Sequence, residues 1–398
     1  MIFQNVRFVF GDGIREGVEM VVEGGRIVSI GKARARSSDE GVDLGGNYLA
    51  PGFIDLHVHG AMGRDTMEAS AEALRAICDF HATGGTTSLL LTTATAPLDE
   101  IVGALKAIAL SQPGMRQIAG AHVEGPFISK ARPGAQREDF IRNPDAKSVV
   151  RLLEHAGTIR RITLAPELDG ALEAIECFSA HDVSVSGGHT DAWDEQARAG
   201  FEHGMRSATH MFNCMSSARR RGIHRVAGLL EFALSEPGMN CELIADGHHV
   251  STTLMKMLYR AKGASGICLV TDATAGAGLP EGSLFSLAGR DCVKRGGVCL
   301  LEDGSALAGS AARMIDLIRV IVRDAGVSLH EAVTMATETP ARVIGLERKG
   351  SLAVGADADF VVMSPELEVL QTFVGGEMMF DSRQKTPQQS GATTAPSA

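Results

Sequence analysis

The sequence predicts a (β/α)8 TIM-like barrel carrying a small β domain made from both chain ends. Three observations lead there. Through the middle of the 398 residues, apolar strand-like runs alternate with stretches of helical periodicity. Both ends instead read as short strands broken by glycine pairs. The histidines and acids of the middle fall at the ends of the apolar runs, the face where barrels of this kind keep their chemistry.

Residues 1–50 hold "IFQNVRFVF", a "GDG" turn and "GVEMVVEGGRIVSIG", in which Val21, Val22, Ile27, Val28 and Ile30 are β-formers. Eight candidate barrel strands follow, at 53–59, 86–92, 117–124, 161–166, 183–189, 206–210, 241–246 and 267–272. Helical stretches such as "SAEALRAICDFHATG" and "LDEIVGALKAIAL" separate them, so the barrel is expected to fill 51–349. "GSLAVGADADFVVMSP" and "EVLQTFVGGEMMF" return to short strands over 350–381, and 1–50 and 350–381 are expected to meet. From Ser382 the polar "SRQKTPQQSGATTAPSA" has too little apolar bulk to order, so 382–398 is expected to be a disordered tail.

Composition narrows the function classes. Hydrophobic residues make up 44% and charged residues 22%, ordinary for a soluble globular chain. A net charge of −10 speaks against nucleic acid or an anionic membrane as partner. An anionic small molecule needs a local basic pocket instead. The seven cysteines form no CxxC pair, which fits reduced thiols in a cytoplasmic setting. "MIFQNVRFVF" does not read as a signal peptide, and no apolar run approaches a membrane span of about 18 residues.

"PGFIDLHVHG" poses the functional question. Successive strand side chains alternate faces, so His57 and His59 share one face at the end of the first strand. Strand three ends in Glu124, strand five in His189, strand six in His210 and strand eight in Asp272. Four imidazoles and two carboxylates are thereby expected at one mouth. A lone strand histidine is usually a packed core residue. A set of this kind, each member at a strand end, points to a zinc, iron or other divalent first-row metal. A catalytic metal keeps one position open for water and lowers that water's pKa towards about 7. His122, on the same face as Glu124, is expected behind the ligands rather than among them. His81, His155, His181, His203 and His330 fall in helical or loop text and are expected on the surface or in packing.

"PGFIDLHVHG", "GTTS", "HVEGPF", "SGGHT", "THMFNCM", "IADGHHV", "LVTDAT" and "LAGS" follow one another along the chain. In that order they resemble the motifs of the N-acetylglucosamine-6-phosphate deacetylases of the amidohydrolase superfamily. The likeness runs from about residue 1 to residue 380. The resemblance implies a barrel of the metal-dependent amidohydrolase type with a small β-sandwich domain from both chain ends, in a cytoplasmic homodimer. It implies deacetylation of N-acetyl-D-glucosamine 6-phosphate to D-glucosamine 6-phosphate and acetate in amino sugar catabolism. Two alternatives stand beside it: N-acetylgalactosamine 6-phosphate or another N-acylated amine as substrate, and a non-catalytic binding barrel. The cofactor implied is a divalent metal, zinc before iron or another first-row ion, with one or two ions per chain.

The resemblance also distributes roles. Glu124, His189 and His210 match the main metal ligands, His57 and His59 a second position, and Asp272 the catalytic aspartate, with metal contact open to it as well. Asn213 and His249 match substrate contacts, Asn213 towards the phosphate, and Cys214 and Leu307 are expected beside them. Strand four, "RRITLAPEL", carries no lysine to bridge two metals, so a bridging role falls to Glu124. That argues against the urease, hydantoinase and dihydroorotase branches. Two departures concern the substrate. Where members carry Arg-Glu-Pro-Gly, this chain has "SSARRRGIHRVAG", leaving Arg219, Arg220, Arg221 and Arg225 as phosphate candidates, Arg221 and Arg225 foremost. Where some members place a histidine on the substrate stands Gln136, which can donate a hydrogen bond but cannot become cationic.

Overall fold

The computed structural model describes residues 1–33 and 41–384; the expected tail lies outside them from residue 385 on. Eight parallel strands form the barrel: Phe53–Val58, Thr86–Thr93, Ile118–Glu124, Ile159–Leu164, Ser184–Gly187, Met205–Ala208, Asn240–Leu243 and Ile267–Leu269. Each pairs with its neighbours in chain order. Every residue of the first two is buried, as expected of strands covered on both faces. The ring closes between strands eight and one. Val58 bridges Ala273, and Asp272 N donates to His57 O at 2.9 Å. Below that seam Asp55 accepts from Thr271 Oγ1 at 2.6 Å and from Thr271 N at 3.2 Å. Burial pushes the Asp55 carboxyl up to about 7 in spite of those bonds.

The helices follow the periodicity. Ala71–Ala82 turns Leu74, Ile77, Cys78 and His81 inward, and its N-cap Ser70 accepts from Ala73 N. His81 is thus a packing residue, fully buried. Leu98–Ser111 likewise buries Ile101, Leu105 and Ile108.

Both chain ends build the second unit. Tyr48–Pro51 pairs antiparallel with Phe360–Met363 inside a six-stranded sheet that also holds Arg7–Phe10 and Gly13–Arg15, and a four-stranded sheet gathers the other described N-terminal strands. Phe3, Phe8, Met20, Leu49, Phe360 and Phe373 share one core between them. Apolar faces from two distant segments thereby bury one another.

Strands five, six and eight end earlier than the sequence suggests, for a local reason. His189, His210 and Asp272 have φ of 49°, 27° and 48°, the left-handed region, which an extended ladder cannot accommodate. Each follows shortly after its strand's last residue. Besides the short pairing of Gly60–Ala61 with Arg64–Asp65, two β elements escaped the sequence reading. One is an antiparallel sheet over Leu284–Leu287, Arg290–Arg295 and Val298–Leu301. The other is a hairpin pairing Arg219–Arg221 with His224–Val226.

Candidate active site

The strand-end residues converge on one carboxylate. His57 Nε2 lies 3.4 Å from Glu124 Oε1, and His59 Nε2 lies 3.1 Å from Oε2. From the other side, His189 Nε2 and His210 Nε2 lie 3.3 and 3.2 Å from Oε1. Two donor groups result, His57–His59–Glu124 and Glu124–His189–His210, with the ligand atoms of each within 4.8 Å of one another. Within each group the paired imidazole nitrogens stand 3.2 Å apart. Two ring nitrogens so close need a proton or a cation between them. Nitrogen and carboxylate donors at this spacing fit a divalent first-row ion, with Glu124 common to both positions.

The electrostatics agree with that fit. Burial opposes charge on His57, but the Glu124 and Asp272 carboxylates outweigh it and hold its pKa well above the usual histidine range. His189 behaves alike, with burial overcome mainly by Glu124. Glu124 is itself held well below the ordinary carboxylate range, its burial offset by His57 and His189. These positions favour cations, and protons yield to a metal when one binds.

Asp272 stands at the edge of the cluster. Its Oδ1 lies 3.4 and 3.5 Å from the Nε2 atoms of His57 and His59, and its side chain is 13% exposed while Glu124 is 2% exposed. It faces a cavity of about 290 Å³ whose wall includes His59, Glu124, Gln136, His189, His210, Asn213, Cys214, His249, Asp272 and Leu307. His57 lies beneath the floor, fully buried. His249 Nδ1 is 2.7 Å from Asp246 Oδ2. Its burial disfavours charge, but Asp246 outweighs that and raises its pKa. Gln136 is already engaged: Nε2 donates to Glu124 Oε2 at 2.5 Å, and Oε1 accepts from Thr95 N at 2.7 Å.

The four candidate arginines divide by hairpin face. Arg219 pairs with Asp191 and Arg221 with Glu195, and both guanidiniums sit 4.1 Å from the Trp193 ring centre. Arg220 and Arg225 are cross-strand partners on the opposite face, both exposed. None of the four belongs to the cavity wall of this chain. His122 lies behind the ligands as expected, its ring 4.5 Å from that of His57 and its Nε2 2.8 Å from Thr163 Oγ1.

Sequence reasoning missed two charged residues under the site, Arg161 on strand four and Glu242 on strand seven, each buried. The available signal was opposite charges inside two otherwise apolar strands, since an unpaired charge is not kept there.

Fold and site together define a metal-dependent hydrolase barrel, and the comparisons with known proteins place it. An Amidohydrolase family model matches residues 48–379, so the chain belongs to the amidohydrolase family. It is similar to the N-acetylglucosamine-6-phosphate deacetylase of Lysinibacillus sphaericus, 34% identical over 382 residues, covering 95% of this chain and 97% of that protein. It is also 35% identical over 338 residues to the N-acetylgalactosamine-6-phosphate deacetylase of Escherichia coli O157:H7, covering 83% of this chain and 87% of that one. Among solved structures, the N-acetylglucosamine-6-phosphate deacetylase of Pasteurella multocida superposes with a TM-score of 0.89 at 31% identity, covering 95% of this chain and 98% of that chain. A D-hydantoinase, with a TM-score of 0.65 at 14% identity, shares the fold alone.

Proposed function

We propose that this chain is a metal-dependent deacetylase. It hydrolyses N-acetyl-D-glucosamine 6-phosphate to D-glucosamine 6-phosphate and acetate, in amino sugar catabolism. The observation that carries the reading is the pair of histidine–carboxylate groups sharing Glu124, with Asp272 at their open edge. A bound divalent ion, zinc in this reading, supplies a Lewis acid and an acidified water.

The chain's own residues do the rest. Glu124, His57, His59, His189 and His210 hold the cation positions. Asp272 takes a proton from the attacking water as oxygen adds to the acetamide carbon. It returns that proton to the nitrogen as the C–N bond breaks, because an amine leaves poorly as an anion. The products are acetate and the free amino sugar phosphate. His249, at the cavity wall and held by Asp246, donates to the substrate's carbonyl or a sugar hydroxyl. Asn213 lies where the phosphate handle would orient the sugar, with Cys214 and Leu307 as packing walls. Gln136 serves the substrate less directly, through its grip on Glu124.

Arg221 is tied to Glu195 and Trp193, so the cation for phosphate falls to the free face of the hairpin, Arg225 with Arg220. In a homodimer that face reaches the cavity of the second copy. Ile223 at the hairpin tip, 88% exposed, supports a covered position for it. Seven free thiols suit a cytoplasmic enzyme.

A second reading, the galactosamine epimer as substrate, is favoured by the similar identity to a relative of that specificity. Acetate release measured on both 6-phosphate epimers and on unphosphorylated N-acetylglucosamine decides between them. A higher kcat/KM on the galacto epimer moves the assignment there. Equal rates with and without phosphate remove the sugar phosphate reading.

A further inference from the structure

Beneath the ligand cluster the barrel buries an ion pair that no step of the hydrolysis uses. Arg161 and Glu242 are each 1% exposed, with Arg161 Nε 2.8 Å from Glu242 Oε1. The rest of the guanidinium is taken by serine hydroxyls. Nη1 donates to Ser184 and Ser207 at 3.2 and 3.3 Å, and Nη2 to Ser186 at 3.0 Å. The other carboxylate oxygen points up into the site. Glu242 Oε2 accepts the backbone N–H of His210 at 3.2 Å and lies 3.3 Å from His57 Nδ1. One oxygen therefore touches a residue of each donor group.

Stability alone does not account for such a pair, because two desolvated charges are often no better than an apolar pair of the same volume. The geometry has a directional consequence instead. A carboxylate at Nδ1 fixes the proton on that nitrogen. The Nε2 lone pair of His57 then faces Glu124 Oε1 at 3.4 Å and His59 Nε2 at 3.2 Å. His59 Nδ1 has no hydrogen-bond partner among the described residues, so His57 is the anchored member of its group. We propose that Arg161 and Glu242 are positioning residues for the His57–His59 metal position. Glu242 sets the tautomer and ring angle of His57, and Arg161 fixes the carboxylate so that Oε2 is the oxygen presented. This inference rests on the two-position reading of the site.

Glu242→Gln is informative because an amide cannot serve both ends. With its oxygen towards His57 and His210, its NH2 meets the guanidinium. Turned over, its NH2 meets the N–H groups of those two residues. Adding Arg161→Met removes that conflict and the unpaired buried charge, so the double variant keeps the fold testable. Its amide oxygen still accepts the His210 N–H but offers His57 no anion.

The experiment is a zinc titration of the metal-stripped full chain against a chromophoric chelator, with thermal melting to establish folding. Wild type is expected to bind two ions. In the double variant the first ion should bind within about threefold of wild type and the second about tenfold to a hundredfold more weakly, the range for partners that orient a ligand. Glu242→Gln alone should weaken the second ion further. A second-ion affinity within about threefold of wild type in the folded double variant overturns the proposal. So does an equal loss at both positions, which makes the pair a support of the whole barrel. Saturation of wild type at one ion overturns the two-position reading and the inference with it. Two ions in wild type with an unmoved variant overturn the inference alone.

Discussion

Asp272→Asn separates proton transfer from metal binding, and the structure says why the variant should fold. The backbone at this residue is pinned on both sides: Asp272 N donates to His57 O at 2.9 Å, and Ser310 N donates to Asp272 O at 2.7 Å. Its φ of 48° is left-handed, a region asparagine tolerates as aspartate does. Each donor group keeps its three ligands without Asp272. What asparagine cannot do is carry a proton at neutral pH. General acid–base transfer contributes about a hundred- to ten-thousandfold, or about 2.7–5.4 kcal/mol on the barrier. The assay is acetate release under saturating substrate, with metal content measured on the same sample. kcat should fall by at least a hundredfold on that scale, with KM little changed because the lost interaction belongs to the transition state. A variant within about threefold of wild-type kcat removes Asp272 from the mechanism. A variant inactive only because its metal is lost makes Asp272 a ligand and leaves the proton carrier to be found.

Three further outcomes are expected. Gln136→Leu strips a donor from Glu124 Oε2 and a partner from Thr95 N, so metal affinity should fall about tenfold to a hundredfold; chelator competition checks it, and unchanged affinity means the clamp is idle. Arg225→Ala should raise KM for the phosphorylated sugar about tenfold or more, the worth of a charge-assisted contact, and leave the plain sugar alone. Arg219→Ala should do neither to that extent, since its charge is spent on Asp191, and equal behaviour of the two makes the hairpin a solvated loop. Burial lowers the pKa of His81 from 6.5 to about 4, so the unfolded chain takes up the proton first. Its share of stability is present above pH 6.5 and is lost as pH falls towards 4, up to about 3 kcal/mol; denaturant melts of His81→Leu should show a shallower acid slope across that window, and an unchanged slope refutes the assignment.

The barrel was legible because strands buried on both faces write themselves as apolar runs, as Phe53–Val58 and Thr86–Thr93 do. Glu124, His189, His210 and the His57/His59 pair were legible because polar residues ending such runs have few other reasons to be there. Their aim was not. The left-handed turns at His189, His210 and Asp272 are backbone events carried by residues other than glycine, so residue type does not announce them. The division of the arginines was hidden as well. "ARRR" reads as one solvated run, whereas hairpin pairing sends Arg219 and Arg221 to Trp193 and Arg220 and Arg225 to the opposite face. Gln136 does line the cavity, but composition cannot show that its amide also bridges Thr95 and Glu124.

Closure of the barrel and placement of Asp272 are one event in this chain. Strand eight is a short ladder, Ile267–Leu269, and its junction with strand one rests on a few bonds. Asp55 holds Thr271, Asp272 N holds His57 O, and Ala273 O accepts both His59 N at 2.8 Å and Gly60 N at 2.9 Å. Every one of those bonds joins Asp272 or a residue beside it with a residue within two positions of His57 or His59. The seam cannot slip by a residue without turning Asp272 away from the two imidazoles, because side-chain direction alternates along a strand. Ser310 tightens the same point, its Oγ donating to Thr271 O at 2.5 Å and its N to Asp272 O. A left-handed aspartate costs free energy on its own. Bonds on both sides of it make that conformation the one in which the ring is shut, so the strained residue and the closed barrel select each other.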